Sequence, residues 1–310
     1  MPVSSAIADE VIKVCRQGAQ ANRGCPYRRG NVVNLCLGTG DEILIGADLH
    51  GNRLNFKRLL EIADLDNHPR RHLVMQEVCH GGPEYPGGGG CMSHLLLEDM
   101  AELKARYPSR FHFLLSNHEL SELADFPICK SKRMLNVQFR SGIAEMYGPA
   151  ADAVRDAYME FIASCPLAIR SANGLFISHS LPDKCDSTPF DDGVLARPLS
   201  CGDWASGSAA FRMVWGRDCR SANAHAFAKK VGATLLVQGH EPCTDGYLVP
   251  NDVQIILDCC SSNGSYLILP LSQPITHAEA VKRIKKLYDV SPASASCHIA
   301  ASKPAPVATA

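Results

Sequence analysis

Four short apolar runs in this chain each stop at a turn that carries a histidine. Ile43-Leu44-Ile45 leads into Gly46-Ala47-Asp48-Leu49-His50-Gly51-Asn52, and the run from Phe111 to Leu115 leads into Ser116-Asn117-His118-Glu119. Leu175-Phe176-Ile177 leads into Ser178-His179-Ser180-Leu181-Pro182, and Thr234 to Val237 leads into Gln238-Gly239-His240-Glu241-Pro242. Alternate residues of a strand face opposite sides, but where the strand stops the chain can curl and aim its side chains at one point. The carboxyl ends of strands are also where an α/β sheet gathers its active site. One such histidine is an ordinary turn residue. Four of them, in the company of Asp48 and Asn117, point to a site.

The rest of the pattern is strand–helix alternation followed by a β-rich stretch. A helix is expected from about Val3 to Arg23, and strands at Val32 to Leu37 and Glu42 to Ile45, joined by a hairpin-like turn at Gly38 to Asp41. Helices follow at Asn52 to Ala63 and Ser93 to Arg106, with strands at Leu73 to Glu77 and Phe111 to Leu115. The stretch from Ser131 to Ala163 reads as helical with a break at Gly148-Pro149. Strands at Leu167 to Ile169 and Leu175 to Ser178 flank an Asn173-Gly174 turn. A helix at Asn223 to Val231 and a strand at Thr234 to Val237 precede Gly246 to Leu269, which reads as a run of antiparallel strands. Gly81 to Gly90, rich in Gly and Pro, reads as a mobile loop. A last helix near His277 to Tyr288 and an Ala/Ser/Pro-rich, disordered tail from Ser291 to Ala310 close the chain. The fold class is α/β (α+β): a two-sheet β-sandwich flanked by helices. Residues 1–30 form an N-terminal helical extension, 31–272 the main domain, and 273–310 the C-terminal helix and tail.

A formal net charge of −1 in 310 residues gives no reason to expect a nucleic-acid or membrane partner. No apolar run approaches the roughly 18 residues that span a bilayer, and Met1 to Arg16 has no secretory pattern, so a cytoplasmic location is expected. The 14 cysteines lack any C-x-x-C spacing, and are read as reduced thiols that pack as small hydrophobes, with Cys79 the one to watch for oxidation.

The strand-end residues suit a dinuclear metal centre: oxygen donors from Asp48 and Asn117, nitrogen donors from His50, His179 and His240. That mixture favours Mn, Fe or Zn over Ca or Mg. The ordered series Gly-x-Asp-x-His-Gly, Asn-His-Glu, strand-end His and Gly-His resembles the calcineurin-like metallophosphoesterase superfamily. Ser116 to Glu119, Ser178 to Pro182, Gly239 to Glu241, Val214-Trp215-Gly216-Arg217-Asp218 and the closing strands through Asn263-Gly264 resemble its phosphoprotein (serine/threonine) phosphatase branch. The resemblance runs from about Ile43 to Leu269. It implies that Asp48 and His50 bind one metal, that Asn117, His179 and His240 bind a second, and that His118 protonates the leaving alkoxide. Two such ions can clamp a phosphate and lower the pKa of a bridging water, and Asn117 also belongs to the phosphate-binding set.

The second motif departs from that family. Where the family has Gly-Asp-x-x-Asp-Arg-Gly, this chain reads Gln76-Glu77-Val78-Cys79-His80-Gly81-Gly82. Glu77 takes the place of the bridging Asp, His80 that of the second Asp, and Gly81 that of the phosphate-gripping Arg. His80 is then an extra ligand or a hydrogen-bond partner of His118. Arg217, and after it Arg53, replace the lost clamp. The glycine-rich loop is a flexible rim, or a phosphate nest. Glu119, Glu122 and Asp125 read as favourable charge at a helix N-terminus.

The function implied is hydrolysis of phosphomonoesters, most readily phosphoserine and phosphothreonine in proteins, with two divalent ions and Mn the first choice in vitro. The alternatives are a dinucleoside polyphosphate hydrolase and a catalytically impaired metal-binding scaffold.

Overall fold

The computed structural model describes residues 2–288. Its helices are α1 Ser5–Arg23, α2 Arg53–Ala63, α3 Ser93–Arg106, α4 Asn117–Leu123, α5 Leu135–Tyr147, α6 Ala151–Ala163, α7 Ala209–Trp215, α8 Ser221–Val231 and α9 His277–Val281. Its strands are β1 Arg28–Arg29, β2 Val32–Leu35, β3 Glu42–Ile45, β4 Arg71–Gln76, β5 Phe111–Leu114, β6 Cys129–Lys130, β7 Arg133–Met134, β8 Ala168–Ser171, β9 Leu175–Ser178, β10 Leu235–Gln238, β11 Tyr247–Leu248, β12 Gln254–Leu257, β13 Ser265–Pro270 and β14 Ile284–Lys286.

One sheet has the order β1-β2-β8-β9-β10-β12-β11 and the other β14-β13-β3-β4-β5, with β6-β7 a separate ribbon. The central strands carry unbroken apolar runs because both of their faces are covered. Ile43, Ile45, Val74 and Leu114 of one sheet meet Val33, Ile169, Ile177, Val237 and Ile255 of the other in a shared inner layer. Their neighbours Leu44, Met75, Phe113, Phe176 and Leu236 point outward and pack under the helices. Each such side chain contributes roughly 1.5–3 kcal/mol by its burial. Helix α1 packs on α3 and α6 so closely that a Cβ on Gly18 would lie 2.8 Å from the Ala101 carbonyl oxygen.

Three sequence expectations are corrected. β2 and β3 do not form a hairpin: they belong to different sheets. Both present apolar residues to the inner layer, so they stack rather than pair, and the turn between them crosses the sandwich. The stretch 246–269 is not an antiparallel run either. Only β11 and β12 pair that way there; β12 runs parallel to β10, and β13 crosses to pair with β3. The last helix stops at Val281, because Ile284–Lys286 adds to β13 as an edge strand and buries Leu287 beyond it. The tail from Ser291 lies outside the described residues.

The glycine-rich loop is pinned at several points. The Tyr85 hydroxyl lies 2.9 Å from His94 Nε2, Glu84 pairs with Arg133 on β7, and Glu84 bridges to Cys91. Gly87 and Gly88 have nothing within 4 Å of a notional Cβ. The 13 cysteines among the described residues are free thiols, and burial pushes Cys79 well above the ordinary thiol range, with Glu119 adding to the effect.

Candidate metal centre

β3, β4 and β5 run parallel in one sheet, β9 and β10 in the other. Their carboxyl ends gather the loops bearing Asp48, His50, Glu77, His80, Asn117, His118, His179 and His240 at one edge of the sandwich. The curl at these strand ends is visible in the backbone. His50, Glu77, His80 and His240 all have positive φ, at 41°, 50°, 65° and 73°. Such conformations cost on the order of 1–3 kcal/mol each and persist only where the surroundings enforce them. Here they do. The Glu77 carbonyl accepts from Leu49 and His50 N–H, His80 N–H donates to Ser93 Oγ at 3.0 Å, and His240 N–H donates to Asp48 Oδ2 at 2.6 Å. Gly239 is required beside them, since a Cβ there would come within 2.2 Å of Asp48 Oδ1.

Two groups of donor atoms, each within 4.8 Å of one another, share Glu77: His50–Glu77–His118 and Glu77–His179–His240. Glu77 Oε2 lies 3.4 Å from His50 Nε2, and Glu77 Oε1 lies 3.4 Å from His179 Nε2. The hydrogen bonds behind both imidazoles set their tautomers. His50 Nδ1 lies 3.2 Å from the His80 carbonyl, and His179 Nδ1 lies 3.1 Å from Gln76 Oε1. With Nδ1–H committed to a carbonyl, each ring offers its Nε2 lone pair to the centre, the arrangement metal-ligating histidines use.

These donors fit a metal on their own chemistry. His179 Nε2 faces Asn117 Oδ1 at 2.7 Å, one lone-pair atom against another. Asp48 Oδ1 is buried with no hydrogen-bond partner among the described residues. A cation resolves both. Burial and the Glu77 charge push the Asp48 carboxyl well above the usual carboxylate range. Burial works the same way on Glu77, but a proton on His179, His50 or His118 outweighs it and holds the carboxyl well below that range. Burial lowers His118 well below the ordinary imidazole range and lowers His240 to about 3, with His179 adding to the latter. Both rings therefore stand neutral, with lone pairs on offer.

His80 has both nitrogens engaged: Nδ1 lies 2.8 Å from His118 Nδ1, and Nε2 lies 2.9 Å from Glu122 Oε1. Of the two alternatives read from the sequence, the geometry gives the partner of His118. His118 Nε2 faces a cleft of about 800 Å³ floored by the donor groups and lies 3.7 Å from Glu77 Oε1. Arg53 and Arg217 reach this cleft, but each carries a carboxylate partner. Arg53 makes a two-pronged pair with Asp99 at 2.7 Å, and Arg217 Nη1 lies 2.8 Å from Glu241.

Several residues take a positioning role that the sequence did not give them. Gln76 orients His179. Glu119, read as favourable charge at a helix N-terminus, is fully buried and accepts from Val78 and Cys79 N–H at 3.0 and 2.8 Å, which shapes the segment after β4. Asp258 accepts from Cys243 and Cys260 N–H, and Cys259 N–H in turn holds the Asp48 carbonyl. Lys130, on the β6–β7 ribbon, lines the cleft and has no ion-pair partner among the described residues. The signal for Glu119 was its spacing from Ser116, a capping pair; Gln76 and Lys130 gave none.

No protein-family model matches the chain. A probable serine/threonine-protein phosphatase of Encephalitozoon cuniculi is 24% identical over 89% of this chain, which spans only 61% of that relative's length. A serine/threonine phosphatase structure from Saccharomyces cerevisiae, described as similar to human phosphatase PP5, superposes with a TM-score of 0.64 at 12% identity, covering 89% of this chain and 88% of that one. A cold-active protein-tyrosine phosphatase from a psychrophilic Shewanella reaches 0.51 at 14% identity, covering 78% of each. By fold and by sequence the chain is therefore similar to serine/threonine-protein phosphatases.

Proposed function

We propose that this chain is a metal-dependent phosphatase that hydrolyses phosphomonoesters, with phosphoserine and phosphothreonine in proteins as the substrate class. The observation that carries the reading is Glu77, whose two oxygens each face a histidine lone pair and belong to two separate donor groups. A carboxylate so placed suits a bridge between two cations. Asp48, His50 and Glu77 would hold one, and Glu77, Asn117, His179 and His240 the other. Mn, Fe or Zn suits this mixture of nitrogen and oxygen donors. Two such ions would supply Lewis-acid charge to a phosphoryl group and acidify water.

The chain's own residues do the rest. The cleft admits the ester beside His118 Nε2. An incoming phosphate dianion is the counter-charge that lets this buried ring take up a proton, and the ring returns that proton to the departing alkoxide oxygen. Trp215 also lines the cleft, but its ring stacks on Phe211 at 5.5 Å and takes Phe126 edge-on at 5.5 Å. That engagement favours a protein substrate over a stacked nucleobase.

The test is hydrolysis of a phosphoserine peptide with and without Mn²⁺, on wild type, His118→Asn and Glu77→Gln, with metal content measured on the same samples. Wild type is expected to turn over with two metals per chain. His118→Asn should keep both metals and lose about two orders of magnitude in kcat, and Glu77→Gln should lose at least one metal. Two metals with no turnover on phosphopeptides, but hydrolysis of a dinucleoside polyphosphate, would move the chain to the second substrate class. A wild type without metal or turnover would end the enzymatic reading.

A further inference from the structure

Behind His118 lies a buried polar chain whose members all have one consistent direction of donation. Ile128 N–H donates to Asn136 Oδ1 at 2.9 Å, which fixes that amide and points its Nδ2 at Glu122 Oε1, 2.8 Å away. Glu122 Oε2 accepts from Arg140 Nε at 3.3 Å. Both oxygens of Glu122 are thus acceptors, and the His80 nitrogen 2.9 Å from Oε1 must bring the hydrogen. With a single hydrogen on the ring, His80 carries it on Nε2, and its Nδ1 holds the lone pair. His118 Nδ1, 2.8 Å from that atom, must in turn be the donor. His118 is left with Nε2 as the atom presented to the cleft. Glu122 and His80 have no side-chain exposure, so water does not compete for the bond between them.

We propose that Glu122 is a positioning residue for the proton-transferring His118, acting through His80, so that a Glu–His–His relay replaces a direct carboxylate–histidine contact. The proposal rests on the phosphatase reading above and adds the part that the altered second motif would otherwise lack. A histidine at position 80 cannot supply a negative charge. Helix α4 supplies it instead, one imidazole further back, and Glu122 faces that ring because it lies four residues after His118, one turn along the same helix. When His118 gives its Nε2 proton to the leaving oxygen, it keeps Nδ1–H, the tautomer that His80 accepts. Were His80 to carry its hydrogen on Nδ1, it would confront that donor, and His118 would turn away from the cleft or adopt the wrong tautomer.

A relay of this kind matters only where the leaving group needs a proton. The test therefore compares a phosphoserine peptide, whose alkoxide is a poor leaving group, with p-nitrophenyl phosphate, whose phenolate departs without help. Glu122→Met keeps the side chain's length and removes both acceptors. Arg140 and Arg155 retain Asp125 as a partner, so no cation is stranded. We expect Glu122→Met to lower kcat on the peptide about 10- to 100-fold, with KM and metal content unchanged and p-nitrophenyl phosphate turnover within about threefold of wild type. Glu122→Gln, the milder change, should show the same substrate-dependent pattern at smaller amplitude. Equal loss on both substrates, or loss of metal, would make Glu122 merely structural; no loss on the peptide would remove it from the relay.

A second measurement needs neither turnover nor a variant. In ¹H–¹⁵N spectra of the zinc-loaded wild type, His80 should be protonated on Nε2 and His118 on Nδ1. His80 protonated on Nδ1 would overturn the relay. If wild type hydrolyses neither substrate, the phosphatase reading fails while this spectrum still decides the relay.

Discussion

At the scale of a single residue, Glu77 joins the two donor groups. Its backbone takes φ of 50° just after β4, and its Oε2 and Oε1 reach histidines that follow different strands. For the phosphate clamp expected at Arg217 or Arg53, the cleft offers a third cation. Arg53 and Arg217 are at the cleft, each paired with a carboxylate, Asp99 and Glu241; Lys130 stands at the same cleft without such a partner among the described residues. Lys130→Ala should raise KM for a phosphopeptide about fivefold, a modest effect because the group is exposed, and leave kcat within twofold. Arg53→Ala should raise KM less. Steady-state kinetics on the two variants decide this, and an unchanged KM in Lys130→Ala would return the clamp to the arginines. Nothing in the local sequence marks Lys130, since the ribbon that carries it is only two residues per strand.

Elements with a sustained apolar pattern were recovered, α3 at its expected bounds without any side-chain cap at its N-terminus. α2 begins where Asn52 Oδ1 accepts from Asn55 N–H at 3.0 Å, and α4 where Ser116 Oγ accepts from His118 N–H at 3.2 Å. Pairing was less legible, because β2 and β3 carry the same inward pattern whether they pair or stack. Strands β4 and β5 also hold an unexpected polar pair. His72 Nδ1 lies 3.0 Å from His112 Nε2, both rings buried between the sheets. Burial lowers His72 to about 4, against the opposing Thr39 carbonyl. An unfolded histidine takes its proton near pH 6.5, so between pH 6.5 and 4 the unfolded chain binds the proton and the folded chain does not. Stability is therefore full above pH 6.5 and falls as pH drops, by up to about 3 kcal/mol at pH 4 for this one ring. Denaturant unfolding of the metal-free protein across that range should show the loss, and His72→Asn should show a shallower one. Parallel slopes would assign the acid loss to other groups.

The metal ligands of the proposed centre come from both halves of the whole molecule. Asp48, His50, Glu77 and Asn117 follow strands of the five-stranded sheet, and His179 and His240 follow strands of the seven-stranded one. Ions held there would tie the two sheets together, and binding to the folded state alone stabilises by about 2.7 kcal/mol per site at a hundred times Kd. Chelation should then lower Tm by several degrees, with recovery on adding Mn²⁺ or Zn²⁺; a Tm indifferent to both would argue against a centre between the sheets. The sequence by itself determined the two-sheet class and most of the residues at this centre, because strand periodicity and strand-end turns are local and the motifs lie within a few residues of each other. Only the tertiary structure decided which strands pair, that His80 backs His118, that Glu122 stands behind both, and which cations are already paired. Those facts depend on side chains tens to hundreds of residues apart being brought within hydrogen-bonding distance in a low-dielectric interior, where a partner's presence decides each group's charge and tautomer.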